Sequence, residues 1–206
     1  MKHHLLLAGA LFLASAASLG AAVAQSSLPP APLPPPPAPP PAPQAFFSPL
    51  GGCTSAIVRE INSSAKTIDV EAYDFSSAPI AGALLAARKR GVRVRVIFDR
   101  LGARGRGNVA ALLSKGGIAV WVDARHAIFH DKVLLIDGEA LLTGSFNFTQ
   151  NAERRNAENL LVLREVPTLV GQYEAEFERH RAHSTPLATP ATPPATPATP
   201  LQTEAA

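Results

Sequence analysis

An α/β domain built on a mixed β-sheet is what the sequence predicts, on three observations. Short apolar runs, alternating or fully apolar, recur between residues 66 and 163 and are bounded by turn residues, as buried strands are. Segments with apolar residues at helical spacing separate several of these runs, which argues for a layered α/β arrangement containing parallel strands. Two neighbouring runs, Val133-Leu134-Leu135-Ile136 and Ala140-Leu141-Leu142, are joined through Asp137-Gly138. That dipeptide is a strong hairpin signal, so the sheet must also hold an antiparallel pair.

The segments follow in order. Residues 1–24 open with Lys2, continue through a Leu/Ala-rich stretch and end on Ala22-Val23-Ala24. A basic start, an apolar middle and a small-residue cleavage site are the layout of a secretory signal peptide rather than of a lasting anchor. The expectation is a periplasmic or secreted protein with no stable membrane anchor after cleavage. Residues 25–43 hold more than half of the chain's 20 prolines and read as an extended, polyproline-like linker. Residues 184–206 repeat Thr-Pro-Ala units and read as a disordered tail. Residues 44–183 remain, one domain long enough to bury a core.

Within that domain, Phe46-Phe47-Ser48-Pro49 is an apolar segment ending in a turn. Ile57, Val58 and Ile61 give 51–65 helical spacing. Residues 66–73 alternate through Ile68, Val70 and Ala72, a strand. Ser77 caps a helix with Pro79 in its first turn, which continues through Ile80, Leu84 and Leu85 and stops at Gly91. Val92, Val94, Val96 and Phe98 alternate with Arg93 and Arg95, a second strand. Residues 101–107 form a Gly/Arg-rich loop carrying Arg104 and Arg106. A short helix over 109–115 ends at Gly116-Gly117, a strand covers 118–122, and the hairpin follows. A last strand over 159–163 precedes a terminal helix over 165–183, marked by Leu169, Val170, Tyr173 and Phe177.

The chain carries 19 Lys and Arg against 16 Asp and Glu, a net charge of +3, and arginine far outnumbers lysine. Guanidinium forks match phosphate geometry, so this mild balance permits a polyanionic substrate without requiring one. The single cysteine, Cys53, excludes an internal disulfide and a thiolate metal site, and reads as a small buried apolar residue.

The residues that carry chemistry gather at the hairpin. His130 and Lys132 sit two apart, as do Ser145 and Asn147, so each pair shares one face of an extended segment. A neutral imidazole can attack phosphorus, splitting one hard displacement into two easier ones. An ammonium, a hydroxyl and an amide can hold the non-bridging oxygens. A carboxylate, for which Glu158 is the candidate, can orient the imidazole. Taken singly, each has a plainer reading. Asp137 could be the first residue of a tight turn, Ser145 and Asn147 turn or cap residues, and Glu158 a surface partner of Arg154 or Arg155. Together they form H-x-K-x4-D-x7-S-x-N-x10-E. If each type occurs at about 5%, chance gives on the order of 10⁻⁸ per starting position.

His130-x-Lys132-x4-Asp137 followed by Gly144-Ser145-x-Asn147 resembles the HKD motif of the phospholipase D superfamily. Phe47-Ser48-Pro49, Ala72-Tyr73-Asp74-Phe75, Arg90-Gly91-Val92 and Asn156-Ala157-Glu158-Asn159 resemble its small single-motif endonucleases, a likeness that covers nearly the whole domain. The resemblance implies metal-independent phosphodiester cleavage through a phosphohistidine, with no cofactor. Under it, His130 is the nucleophile in one subunit and the general acid in the other. Lys132, Asn147 and Ser145 hold the phosphate, Glu158 orients His130, and Asp137 supports. The loop residues Arg104 and Arg106 could track a nucleic-acid backbone or simply face solvent. One motif per chain implies a symmetric homodimer with a composite site. His126 reads as a loop residue, and no spacing among His126, His130 and Asp131 matches a standard metal pattern. Phosphatidyl transfer or lipid hydrolysis, and a non-catalytic nucleic-acid-binding module, are the competing readings. Glu71 and Asp74 flank Tyr73 where the family more often has small or hydroxyl residues.

Overall fold

The computed structural model describes residues 41–187. The signal-like segment, nearly all of the proline-rich linker and the tail beyond residue 187 lie outside the described residues. The chain runs β1 (Gln44–Ser48), α1 (Cys53–Ser63), β2 (Thr67–Ala72), α2 (Ala78–Lys89) and β3 (Arg93–Asp99), then a 3₁₀ turn (Gly102–Arg104). It continues as α3 (Ala110–Lys115), β4 (Ala119–Asp123), β5 (Lys132–Ile136), β6 (Ala140–Gly144), α4 (Gln150–Arg154), β7 (Glu158–Leu163), α5 (Pro167–His183) and β8 (Thr185–Pro186).

All eight strands join one sheet in the order β1-β7-β6-β5-β2-β3-β4-β8. The β2, β3 and β4 strands are parallel, and every other pairing is antiparallel. The fold is therefore α/β with a mixed sheet, as the alternating elements and the hairpin require. One face carries Ile68, Val70, Ala72, Val94, Val96, Leu134 and Leu142 against Ile57 and Ile61 of α1 and Ile80 and Leu84 of α2. On the other face Ile97, Val133, Leu135 and Leu141 pack against Val170 and Phe177 of α5.

Three local features depart from the sequence reading. Phe46-Phe47-Ser48 is not merely the entry to a turn. It belongs to β1, which pairs with β7 at the far edge of the sheet, a partnership that local pattern cannot reveal. Ser77 occupies the N-cap position of α2, but its side chain makes no capping bond. Thr185 and Pro186, placed by composition in the disordered tail, pair with Val122 and Trp121 as the β8 edge strand. The burial of Cys53 agrees with its composition-based reading. Desolvation, aided by the charge of Glu153, pushes its thiol up to about 11.

The Asp137-Gly138 turn is more than a connector. Both residues have positive φ, 55° and 74°, which Asp tolerates and Gly accepts freely. The Asp137 carboxylate accepts three backbone N–H bonds, from Ala65 at 2.8 Å, Lys66 at 2.7 Å and Thr67 at 2.8 Å. It thereby fastens the α1–β2 turn to the hairpin. Burial would raise its pKa, but those three donors and the charge of Lys66 hold it below the ordinary aspartate range. Asp137→Ala strands three donors at once and is expected to lower the unfolding free energy by about 2–3 kcal/mol. A urea titration should show this as a lower midpoint at unchanged m-value.

Candidate active site

Strand register brings the predicted residues to one end of the sheet. Ala72 on β2 faces Lys132 on β5, and the β5–β6 pairing of Val133 with Thr143 sets the next residues, Lys132 and Gly144, level. Gly144 in turn faces Leu160 on β7, and Ser48 faces Glu158. The strands therefore deliver Lys132, the Gly144-Ser145 corner and Glu158 to the same end as the carboxyl ends of the parallel strands, where open α/β sheets place their ligand sites. Asp137 is not among them. It lies at the other end of β5, about 17 Å of extended chain from Lys132. The motif aspartate is thus a structural clamp, which corrects its placement in the catalytic group.

His130 precedes β5. The chain alternates there, with Phe129 buried and His130 exposed. The Phe129 N–H donates to Asp99 Oδ2 at 2.9 Å, while Asp99 Oδ1 accepts from Leu101 N at 2.7 Å and Gly102 N at 3.2 Å. One buried carboxylate thus fixes both the approach to His130 and the start of the Arg-rich loop. The His130 ring lies 4.6 Å from the Tyr73 ring, centroid to centroid, and the Tyr73 N–H donates to Asp131 O at 3.0 Å. Neither ring nitrogen of His130 is hydrogen-bonded among the described residues.

Lys132 is buried, its Nζ 5.0 Å from the centre of the Tyr73 ring and donating to the His130 carbonyl at 2.6 Å. Burial pulls its ammonium below the ordinary lysine range, against the opposing pull of Asp131, Glu158 and Asp74. Burial also raises Asp74, whose charge Lys132 partly stabilises. Ser145 Oγ accepts from Asn159 N at 3.0 Å and Asn159 Nδ2 at 3.3 Å. Both acceptor positions are then filled, and its own proton is left to donate to an incoming oxygen. Gly144 permits this approach, since a Cβ there would stand 2.3 Å from Asn159 O. Past the end of β6 the alternation persists. Phe146 and Phe148 are buried, and Asn147 is half-buried with an Oδ1 that finds no partner. An amide committed to no neighbour is free to turn its Nδ2 toward an anion.

Glu158 differs from expectation. Its Oε1 accepts from Asn156 Nδ2 at 3.0 Å, and no hydrogen bond joins it to His130 of its own chain. The two arginines also part company. Arg106 lines a groove of about 440 Å³ with Tyr73, Asp74 and Gln150. Arg104 faces a different cavity, against Thr185 and Leu187. Only Arg106 adjoins the site. Sequence reasoning missed Asp99, Asn159 and Tyr73, although Tyr73 and Asn159 stood in the quoted family words.

Glu71 meets neither the groove beside Tyr73 nor an arginine. Its Oε1 lies 2.8 Å from Nδ1 of the buried His180 on α5. Burial raises its carboxyl to about 7, the bond and charge of His180 oppose that rise, and Asp131 and Asp69 add to it. A carboxyl raised on folding stabilises the protonated form. Its contribution is complete below pH 4.5, its unperturbed value, and is lost as pH climbs through about 7. The carboxylates held low, Asp137, Asp123 and Glu178, act in the opposite sense but below their ordinary values of 3.8 and 4.5. Thermal stability is expected to fall between pH 4.5 and 7, and Glu71→Gln to flatten that fall in a pH series of melting curves.

Residues 57–181 match the family described as cardiolipin synthase, PLD-like domain. A phospholipase D from Rickettsia prowazekii (strain Madrid E) is 39% identical over 117 residues, 57% of this chain and 57% of that protein. A mitochondrial cardiolipin hydrolase from Chlamydomonas reinhardtii is 34% identical over 119 residues, 58% of this chain and 53% of that one. The chain therefore spans little more than half the length of these relatives. Among solved structures, the phospholipase D family member Nuc from Salmonella typhimurium superposes with a TM-score of 0.68 at 34% identity, covering 71% of this chain and 97% of that one.

Proposed function

The chain belongs to the phospholipase D superfamily, and we propose that it is an exported, metal-independent endonuclease. It cleaves the phosphodiester bonds of DNA, and of RNA where the same linkage is presented, through a phosphohistidine. One observation supports this above the rest. An exposed imidazole with both nitrogens free of hydrogen bonds stands at the same sheet end as a buried ammonium, a hydroxyl with a proton to give and an uncommitted amide. The 34% identity to Nuc, across 97% of that chain, favours nucleic acid as the polymer.

In this reading the His130 imidazole attacks phosphorus. A P–N bond forms, the P–O bond to the leaving oxygen breaks, and His130 of the partner subunit gives that oxygen its proton. Water then attacks the phosphohistidine, the partner's His130 takes a proton from it, and the P–N bond breaks. Lys132, Ser145 and Asn147 hold the non-bridging oxygens through both steps. The absence of a bond between Glu158 and its own His130 suits a site completed by a second chain, in a symmetric homodimer.

A second reading is phospholipid cleavage. The names of the rickettsial and algal relatives favour it, and so does a surface feature that no single stretch of sequence displays. Phe47, Leu50, Leu101 and Ile128 are large exposed apolar side chains on segments that frame the site. A second copy of the chain or a lipid surface would each cover them. Among the described residues no helix is long and apolar enough to cross a membrane.

Incubation with supercoiled plasmid and with labelled phosphatidylcholine and cardiolipin vesicles, all in excess EDTA, separates the readings. Plasmid nicking that persists in EDTA and drops at least about 10³-fold in His130→Ala is the expected result. Lipid turnover without nicking would replace the polymer with a lipid, and magnesium-dependent nicking would overturn the mechanism. Sedimentation at assay concentration is expected to give a dimer, and a cleaving monomer would rule out the composite site.

A further inference from the structure

Outside the phosphate-binding group, three ligating side chains from separate elements converge. Asp123 ends β4, His126 lies in the loop that leads to His130, and His183 ends α5. Asp123 Oδ2, on a fully buried side chain, is 3.1 Å from His126 Nδ1 and 2.8 Å from His183 Nε2. The three ligand atoms all lie within 4.8 Å of one another. A tetrahedral zinc ion with bonds of about 2.0–2.1 Å sets its ligand atoms about 3.3–3.4 Å apart. The two edges at Asp123 Oδ2 would open by about 0.2–0.6 Å to reach that spacing.

The surroundings complete the pattern. Asp123 Oδ1 accepts from Arg125 N and His126 N, each at 3.0 Å, the outer-shell support that orients a metal-binding carboxylate. A cavity of about 510 Å³, lined by His126, Glu176, His180 and His183 among others, leaves room for water at a fourth position. Two imidazoles and one carboxylate suit zinc and its borderline neighbours, whereas calcium and magnesium prefer all-oxygen cages. The second buried cluster, Glu71, Asp131 and His180, is a poorer host. Both ring nitrogens of His180 are already engaged, by Glu71 at 2.8 Å and Glu176 at 3.0 Å.

We propose that Asp123, His126 and His183 bind one zinc-class divalent cation that ties the end of α5 to the loop delivering His130. The ion lies outside the reacting groups, so it acts on loop order rather than on the displacement. The sequence concealed the set because its third ligand lies 60 residues from the first, a separation that no compact zinc motif uses. The proposal stands apart from the nuclease assignment, since it concerns binding and stability alone.

The test uses the full chain, stripped with EDTA and dialysed, then titrated with zinc against a chromophoric chelator while melting temperature is followed. One tight equivalent per chain is expected, with a melting temperature that rises with free zinc. His126→Ala and His183→Ala should each weaken that equivalent by at least about 100-fold and abolish the thermal shift. The His126 side chain is 43% exposed, so its removal leaves the core intact and keeps the test valid if His183→Ala folds poorly. No saturable binding, or an equivalent that survives His126→Ala, would overturn the proposal. Plasmid nicking in EDTA by the same preparations is read separately, and either result there leaves the metal question to the titration.

Discussion

The seating of β5 between β2 and β6 is the constraint on which the site depends. Its pairings, Ala72 with Lys132 and Val133 with Thr143, set Lys132 level with the Gly144-Ser145 corner. A slip of one residue would exchange the faces of Lys132 and Val133. It would push the ammonium toward Leu141 and Phe177 and strand Leu134 and Ile136 on the wrong side of the sheet. The apolar residues of β5 serve both faces, so the register that buries them is the one that aims the chemistry.

Aspartates at the ends of three strands then hold the connecting segments in place. Asp99 grips the approach to His130, Asp123 grips the loop before it, and Asp137 grips the opposite turn. Each accepts two or more backbone N–H groups, the pairing that makes a buried carboxylate tolerable. Lys132 is the costlier case. Its ammonium is buried with one carbonyl acceptor, and its carboxylate neighbours act through charge rather than through direct bonds. Groups kept under such partial satisfaction concentrate at functional sites, where local stability is given up for chemistry.

Much of this was legible in sequence. The hairpin, the parallel strands and every helix but α4 follow from local periodicity, which reflects burial that neighbouring residues share. His130, Lys132, Ser145 and Asn147 were legible as a group because a strand's two-residue repeat fixes their facing without tertiary knowledge. What stayed hidden depends on distant chain. The β1 strand acquires its meaning only from β7, and β8 only from β4. The five-residue α4 is too short for periodicity, although its Thr149 cap, accepting from Ala152 N at 3.1 Å, was a local signal. Asp137 was grouped with the other motif residues because spacing within a motif does not say which end of a strand a residue occupies. Arg104 and Arg106 looked equivalent, and only the path of the loop separates them.

The face beneath α5 shows how far period-2 alternation can mislead about environment. Asp69, Glu71 and Arg95 occupy polar positions that would meet water on a half-exposed sheet, yet α5 covers them. Arg95 is held by Asp69 at 2.7 and 2.6 Å, with its guanidinium 4.6 Å from the centre of the Phe177 ring. Glu71 is closed by His180. Buried pairs of this kind add little net stability over apolar replacements, but their geometry is strict where packed methyl groups are forgiving. Apolar contacts through Val170 and Phe177 alone would let the helix slide or turn by a fraction of its pitch. Pairing Asp69 and Glu71 with groups on or against α5 removes that freedom. The setting of α5 in turn places His180 beside Phe129, ring centroids 5.1 Å apart, and His183 against Asp123. The loop that presents His130 therefore rests on a helix whose position is fixed by charge pairs on the sheet face it covers.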